Sequence, residues 1–330
     1  MERRVADILN AATSRFYVQQ ARSFSQTRQS AWPGWERCLP YLDELAAAAG
    51  ASTCTAASSD AELCGVTRGE VAAALGDAET HAAAARRGAA RPLSLVDLGC
   101  GNLRFEAFLK AARPNFPVEL TAIDLGAALF EQARPGIFDD AQNSSSFDDT
   151  LCGDAVCPAG QLDAHSFKMQ LASFQDIDVI TQALERKPLL GIHLGRSADT
   201  VLCFGFMHHV PGRKTREFAL REMLKLLRPG GILAVSFWQF MKSPKLAEQT
   251  GQLREQALFD LELVSDDLEE GDHLLGWQKA SGVYRYCHSF GEAELDSLAG
   301  ALSDLAKLEA RFEADGRTGN LNSYLILRRK

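Results

Sequence analysis

Asp97, Gly99 and Gly101 stand together in the stretch DLGCGNLR, residues 97–104, directly after the apolar run LSLV. Glycine reaches positive φ freely and has no Cβ, so two of them at a strand end let the backbone close on a ligand. Asp124 ends the next apolar run, VELTAID, 25 residues after Gly99. A carboxylate there can accept two hydrogen bonds from ribose hydroxyls. A dinucleotide loop takes a third glycine so that a pyrophosphate can sit on a helix N-terminus. Here Leu103 holds that place, and an acid, Asp97, opens the loop. The set suits a cationic, phosphate-free ligand that carries a ribose. Further on, FQDID offers Asp176 or Asp178 as acceptor for an exocyclic amine, with a plain surface carboxylate as the alternative for either.

Positioning these residues takes alternating strands and helices. LSLVDLG, VELTAID, FKMQLASF, DTVLCFGFMHHV and ILAVSFW read as strands. LRFEAFLKAARP reads as a helix stopped by Pro114. TREFALREMLKLLRPGG reads as a helix with Phe218, Leu220, Met223, Leu224 and Leu227 turned inward, ended by Pro229-Gly230-Gly231. VYRYCHSF and LNSYLILRRK, around a helix at EAELDSLAGAL, add two strands. The pattern predicts an α/β fold: a Rossmann-like, doubly wound, seven-stranded and mostly parallel sheet, with ligands at the carboxyl ends of the strands. Residues 1–92 read as a helical N-terminal or lid segment with an Ala-rich spacer. Within it WERCLPYLDELAAAA is helical despite Pro40, and AETHAAAARRGAARP makes a helix ending near Gly88. Residues 93–330 read as the main domain, with a polar insertion at about 135–165.

The bulk properties exclude several classes. The chain has 330 residues, 46% of them hydrophobic, enough for a full core. A net charge of −8 implies no broad basic face, although a local patch stays open. No apolar run is long enough to span a membrane. The start, with Arg3 and Arg4, lacks the apolar segment of a secretory leader. The eight cysteines include no CxxC pair, so no metal site is expected, and reduced thiols in a cytoplasmic protein are the plain reading.

DLGCG with the spaced Asp124, DTVLCF, and LRPGG ahead of a strand resemble the class I S-adenosylmethionine-dependent methyltransferases. The resemblance implies S-adenosyl-L-methionine as cofactor, with Asp97 near its amino-acid end and Gly99 and Gly101 in the loop. Asp124 would sit on the ribose and Asp176 near the adenine. The flanking segments narrow the likeness. ARSFSQTRQSAWPGW (21–35), MHHV, GD followed by Trp277, YRYCHSF followed by EL, and a closing strand with an Asn and a Tyr resemble the tRNA wobble-uridine carboxymethyl methyltransferases. That family methylates the carboxylate of 5-carboxymethyluridine. The resemblance leaves out residues 1–15, 46–92 and 135–165.

A carboxylate acceptor, with a pKa near ~4, is ionised at neutral pH and needs no general base. Transfer then depends on proximity and orientation. Arginine holds a carboxylate in a fixed plane by a two-pronged bond. Arg28 and Arg285, in two of the resembling segments, are therefore the candidate catalytic residues, with His288 beside them. Trp32 and Tyr286 are candidates to stack on or bond a uracil, and His208 or His209 to border the substrate mouth. The plainer alternatives are a surface ion pair for Arg28, a structural partner for Arg285 and a helix-start anchor for Trp32-Pro33. The partner expected is the anticodon loop of tRNA, or else a small-molecule acceptor of an O-methyltransferase on the same scaffold. A non-catalytic adenosyl-binding subunit is a third reading, which the intact loop argues against. The resemblance also brings a small zinc-containing activator protein, for which the sequence shows no surface.

Overall fold

All six residues of Leu93–Leu98 (β1) are buried, as are most of Val118–Asp124 (β2), Ala198–Cys203 (β4) and Leu227–Trp238 (β5). Strands this apolar need cover on both faces. The computed structural model describes residues 1–27, 29–59, 91–138, 169–189, 194–277, 280 and 282–330, and it supplies that cover. With Gln170–Asp176 (β3), Ala306–Ala314 (β8) and Asn322–Arg329 (β9), these strands form one seven-stranded sheet in the order β3-β2-β1-β4-β5-β9-β8. The first five run parallel, and β9 lies antiparallel between β5 and β8. The sheet is the Rossmann-like, mostly parallel one that the alternation predicts.

The helices of the described residues are α1 (Arg3–Gln26), α2 (Pro33–Glu36), α3 (Leu39–Ser59), α4 (Arg104–Ala112), α5 (Ala128–Ile137), α6 (Val179–Leu184), α7 (Arg213–Leu226), α8 (Pro244–Asp260) and α9 (Glu292–Ala301). Strand residues alternate between faces. Val96, Leu98, Val201 and Leu233 pack with Ile180 of α6, Leu220 and Met223 of α7, and Leu295 of α9. Leu93, Leu95, Leu120 and Ile232 pack on the other face with Trp35 of α2, Leu42 of α3, Phe105 and Leu109 of α4, and Phe130 of α5. A third core lies off the sheet. It joins Val5 and Leu9 of α1 to Leu258 of α8 and to a hairpin of Asp272–Gly276 (β6) and Tyr284–His288 (β7).

This arrangement corrects the sequence reading in four places. YRYCH is a strand, but it pairs with β6 in a separate two-stranded sheet. The edge strand of the large sheet is β8, AKLEARFEA, whose residue types favour helix and were not expected to extend. Helix α7 stops at Leu226, before the Pro-Gly-Gly, because Leu227 is already extended and Arg228 precedes a proline. Helix α5 also runs through Pro135 to Ile137, inside the start of the expected insertion. The remainder of that insertion, to 165, and the AETHAAAARRGAA segment lie outside the described residues. No helix among the described residues is long and apolar enough to cross a membrane.

The amino ends of three central strands meet on one side chain. Asp199 at the start of β4 is fully buried and accepts a two-pronged bond from Arg91, at 2.6 and 2.7 Å. It also accepts from Arg196 at 2.9 Å, Arg228 at 2.6 Å and the Ser94 amide at 2.9 Å. Burial opposes its charge, but these donors outweigh burial and hold the carboxyl well below the usual range. A depressed carboxyl stabilises the fold above its unfolded pKa, near ~3.9, and that stability fades as pH falls below it. Asp199→Asn should lower stability by about 3 kcal/mol at pH 7 in urea unfolding. Its difference from the parent should shrink as pH falls below about 4.

Candidate active site

The loop after β1 carries the left-handed conformations its glycines allow. Gly99 has φ 83° and Gly101 φ 51°, and Leu103, where a third glycine is missing, adopts φ 53° all the same. Leu103 is buried against the sheet, so the packing of its side chain holds it there against a strain of about 1–2 kcal/mol. A Cβ on Gly99 would strike Phe206 at 2.9 Å, whereas a Cβ on Gly101 meets no atom within 4 Å and points into open space.

That space is a cavity of about 1300 Å³ at the carboxyl ends of the strands, where the sheet order reverses between β1 and β4. Asp97, Gly99, Gly101, Asp124, Asp176, Trp32, His208 and Arg285 all line it. Asp124 accepts from the Gly101 amide at 2.6 Å and the Leu125 amide at 2.7 Å. A carboxylate has about four acceptor sites, so capacity for two hydroxyls remains. Burial pushes this carboxyl up to about 6, with the two amides opposing. Asp176 at the end of β3 is exposed and accepts from the Gly126 amide at 2.8 Å. Asp178 instead caps α6, accepting from the Thr181 amide at 2.8 Å and its hydroxyl at 2.7 Å. Of the two acids in FQDID, which both line the cavity, Asp176 keeps the greater acceptor capacity.

Helix α1 roofs this end of the sheet. Asn10 donates to Asp178 and Thr181, Thr13 accepts from the Tyr286 amide, and Ser25 and Ser23 accept from Asn102 and Trp277. Beneath it lies Arg285, only 5% exposed. Four rings surround its guanidinium: Phe16 at 5.1 Å, Phe24 at 5.3 Å, and Trp238 and Trp277 at 5.8 Å. Its Nε has no hydrogen-bond partner, and among the described residues no carboxylate forms an ion pair with it. The Tyr17 phenol is its polar neighbour. Tyr17 donates to His209 Nε2 at 2.8 Å, because His209 Nδ1 is bound to the Tyr286 carbonyl at 2.8 Å and must carry the ring proton. Burial, then the Arg285 charge, lowers His209 to about 3, so it stays neutral. His208, His209 and Cys287 bring ligand atoms within 4.8 Å of one another, but both nitrogens of His209 are engaged.

Tyr286 and His288 are corrections to the expected set, since neither side chain lines the cavity. In a strand successive side chains point to opposite faces, so Arg285 and its neighbours diverge. The Tyr286 hydroxyl donates to Asp272 at 2.7 Å, and His288 bridges Asp272 and Glu294 at 2.6 Å each. Buried Arg216 pairs with Glu294 and Glu269 in the same cluster. Burial opposes a charge on His288, but the two acids outweigh it and raise its pKa. This network fastens the hairpin to α7 and α9 and so holds Arg285 from behind. Arg28 lies outside the described residues.

Trp32 stands at a helix start and also lines the cavity. It precedes α2, whose first residue is Pro33, and it forms a wall of the cavity against Gly205, with the Arg104 guanidinium 4.7 Å from its ring. Sequence reasoning missed Asp315, which ties this wall to the far end of the chain. It accepts from the Gly34 amide at 2.9 Å, Asn322 at 2.7 Å and the Tyr324 hydroxyl at 2.6 Å. The Asn and Tyr of the closing strand thus hold the WPGW segment through it. Sequence reasoning also missed Tyr17 and gave no role to Phe24 and Trp277, which it met only as parts of resembling motifs, although Tyr17 and Phe24 lie seven apart, on one helical face.

An open-space glycine loop at a switch point, acids at the ends of β1, β2 and β3, and this strand order are the features expected of the class I S-adenosylmethionine-dependent methyltransferases. Residues 96–235, from β1 into β5, match the family described as "Methyltransferase domain". The structure is similar to an S-adenosylmethionine-dependent methyltransferase from Methanosarcina mazei at 17% identity, covering 72% of this chain and 93% of that one, with a TM-score of 0.41. It is similar to the N-methyltransferase NodS from Bradyrhizobium japonicum, in complex with S-adenosyl-L-homocysteine, at 12% identity, 77% and 86% coverage and TM-score 0.38. It is also similar to an amino pentose methyltransferase from Micromonospora echinaspora at 19% identity, 81% and 93% coverage and TM-score 0.36. No curated protein matches the chain significantly.

Because Gly101 faces open space, Gly101→Ala should cost the fold only about 1 kcal/mol of backbone strain. Its new methyl would stand where the ligand must approach. S-adenosylhomocysteine affinity should fall at least about tenfold, equivalent to 1.4 kcal/mol, by calorimetric titration, while the thermal midpoint moves by a few degrees.

Proposed function

We propose that this methyltransferase transfers the methyl group to a carboxylate oxygen, and that the acceptor is a 5-carboxymethyluridine-type wobble nucleoside of tRNA. The observation that carries this reading is Arg285, a buried guanidinium without an acid partner among the described residues, facing the cofactor cavity. A buried charge is costly until an opposite charge reaches it, and a carboxylate fits its planar fork.

When bound, S-adenosylmethionine supplies an electrophilic methyl on a sulfonium. Gly99 and Gly101 admit the ligand, Asp97 suits its ammonium, Asp124 its ribose and Asp176 its adenine amine. Arg285 orients the acceptor carboxylate, and no side chain has to remove a proton. Neutral His209 points the Tyr17 hydroxyl proton away from Arg285, so the phenol oxygen faces the guanidinium as a weak acceptor that an anion can displace. The aromatic walls exclude water and offer faces on which a pyrimidine stacks. Motifs far apart in sequence support the RNA reading, because they converge here: Phe24, Ser25 and Thr27 end α1, WPGW forms the wall, Trp277 and Arg285 belong to the hairpin and its turn, and Asn322 braces the wall. A small carboxylic acid is the second reading. The net charge of −8 favours it, since a polyanion is drawn to positive surface.

Incubation with labelled S-adenosylmethionine and total tRNA tests the choice. Label in tRNA that mild alkali releases is the expected methyl ester. Label confined to a small-molecule extract would transfer the conclusion to the second reading. Arg285→Gln should keep S-adenosylhomocysteine affinity within about twofold and lower transfer at least about 100-fold. An equal loss of cofactor affinity would remove Arg285 from the acceptor side.

A further inference from the structure

Glu106 lies in the first turn of α4, just past the glycine loop, and is 1% exposed. Among the described residues no hydrogen-bond donor reaches either of its oxygens. Its carboxyl meets that of Asp97, which is 4% exposed. Ionised carboxylates only accept, so such a pair is satisfied only if at least one of them carries a proton. Asp97 lines the cavity and Glu106 stands behind it. The surrounding titratable groups are Asp124 on β2, Cys100 in the loop and Cys203 on β4. Burial, and then the Glu106 charge, raise Asp97 far above the carboxylate range. Burial raises Glu106 as well, with its bond to Asp97 opposing.

We propose that Glu106 is a positioning residue that shares protons with Asp97, and that a cationic ligand group arriving at Asp97 expels a proton from the pair. The inference rests on the cofactor reading of the loop. In the free protein the pair holds more than one proton on average. With an ammonium beside Asp97 it holds one, on Glu106, whose O–H donates to the Asp97 carboxylate and fixes its direction. One O–H bond breaks on binding and its proton leaves to the buffer; no covalent bond to the ligand forms. A nearby positive charge favours the ionised carboxyl, so affinity must rise with pH through the range where the pair is protonated.

Calorimetric titration in buffers of different ionisation heat, near pH 6.5, counts the protons released. S-adenosylhomocysteine carries the ammonium, and 5′-methylthioadenosine lacks that end but keeps the ribose. The first should release more protons than the second, and its dissociation constant should tighten about three- to tenfold from pH 6 to 8. Titration of Asp124 contributes to both ligands and cancels in the comparison. In Glu106→Gln the amide donates to Asp97 permanently, so the release with S-adenosylhomocysteine should drop to that seen with methylthioadenosine. Equal release by the two ligands in the parent protein overturns the proposal, as does a folded Gln variant that releases as much as the parent. If the Gln variant does not fold, the two-ligand comparison decides alone. Failure of S-adenosylhomocysteine to bind would overturn the cofactor reading itself, a different result from binding without proton release.

Discussion

The hydrogen bonds of α1 to three separated places fix the distinctive part of this molecule. A parallel sheet with helices on both faces offers an open crevice at its carboxyl edge, and nothing in that frame encloses a substrate. Here Asn10 reaches the start of α6, Thr13 the backbone of β7, and Ser25 the glycine loop. A single helix thereby spans the glycine-loop end and the hairpin end of the cavity. Its apolar stripe of Val5, Leu9 and Phe16 is fully buried. Loss of the tethers would leave that stripe and the Arg285 pocket open to water together.

The two ends of the cavity solve opposite electrostatic problems. At the glycine loop three acids crowd under poor solvation, and their carboxyls rise as a result. At the hairpin one cation lies among rings, and its polar neighbours stay neutral: His209 held down by burial and then by the Arg285 charge, Tyr17 and Cys287 pushed up to about 12 chiefly by burial. The two ends therefore differ in the sign of charge they favour.

Much of the cofactor end was legible because its information is local. Gly99, Gly101 and Asp124 announce their use by spacing, and the runs that hold them are apolar at every turn of the pattern. The hairpin end was less legible because it is built from contacts between distant segments. No spacing links Gly34 to Asp315, and no local pattern says that YRYCH leaves the main sheet for a hairpin. The β8 segment is written in Ala, Lys, Leu, Glu and Arg, which prefer helix, and the neighbouring β9 overrides that preference. One signal was present and unused: once YRYCH is read as a strand, period two alone separates Arg285 from Tyr286 and His288.

The place of β9 has a consequence for how the protein is made. Residues 322–329 lie between β5 and β8, so a ribosome releases both outer neighbours before the strand that joins them. Until then β5 is an open edge of the half-built sheet and β8 has nowhere to pair. The same strand carries Asn322 and Tyr324, the donors that set Asp315 against Gly34. The nascent chain can therefore assemble its glycine loop early, while the cavity wall around Trp32 waits for a strand made later. A bare edge exposed for that interval is where pairing with another chain would begin, and chaperone capture would be most useful there.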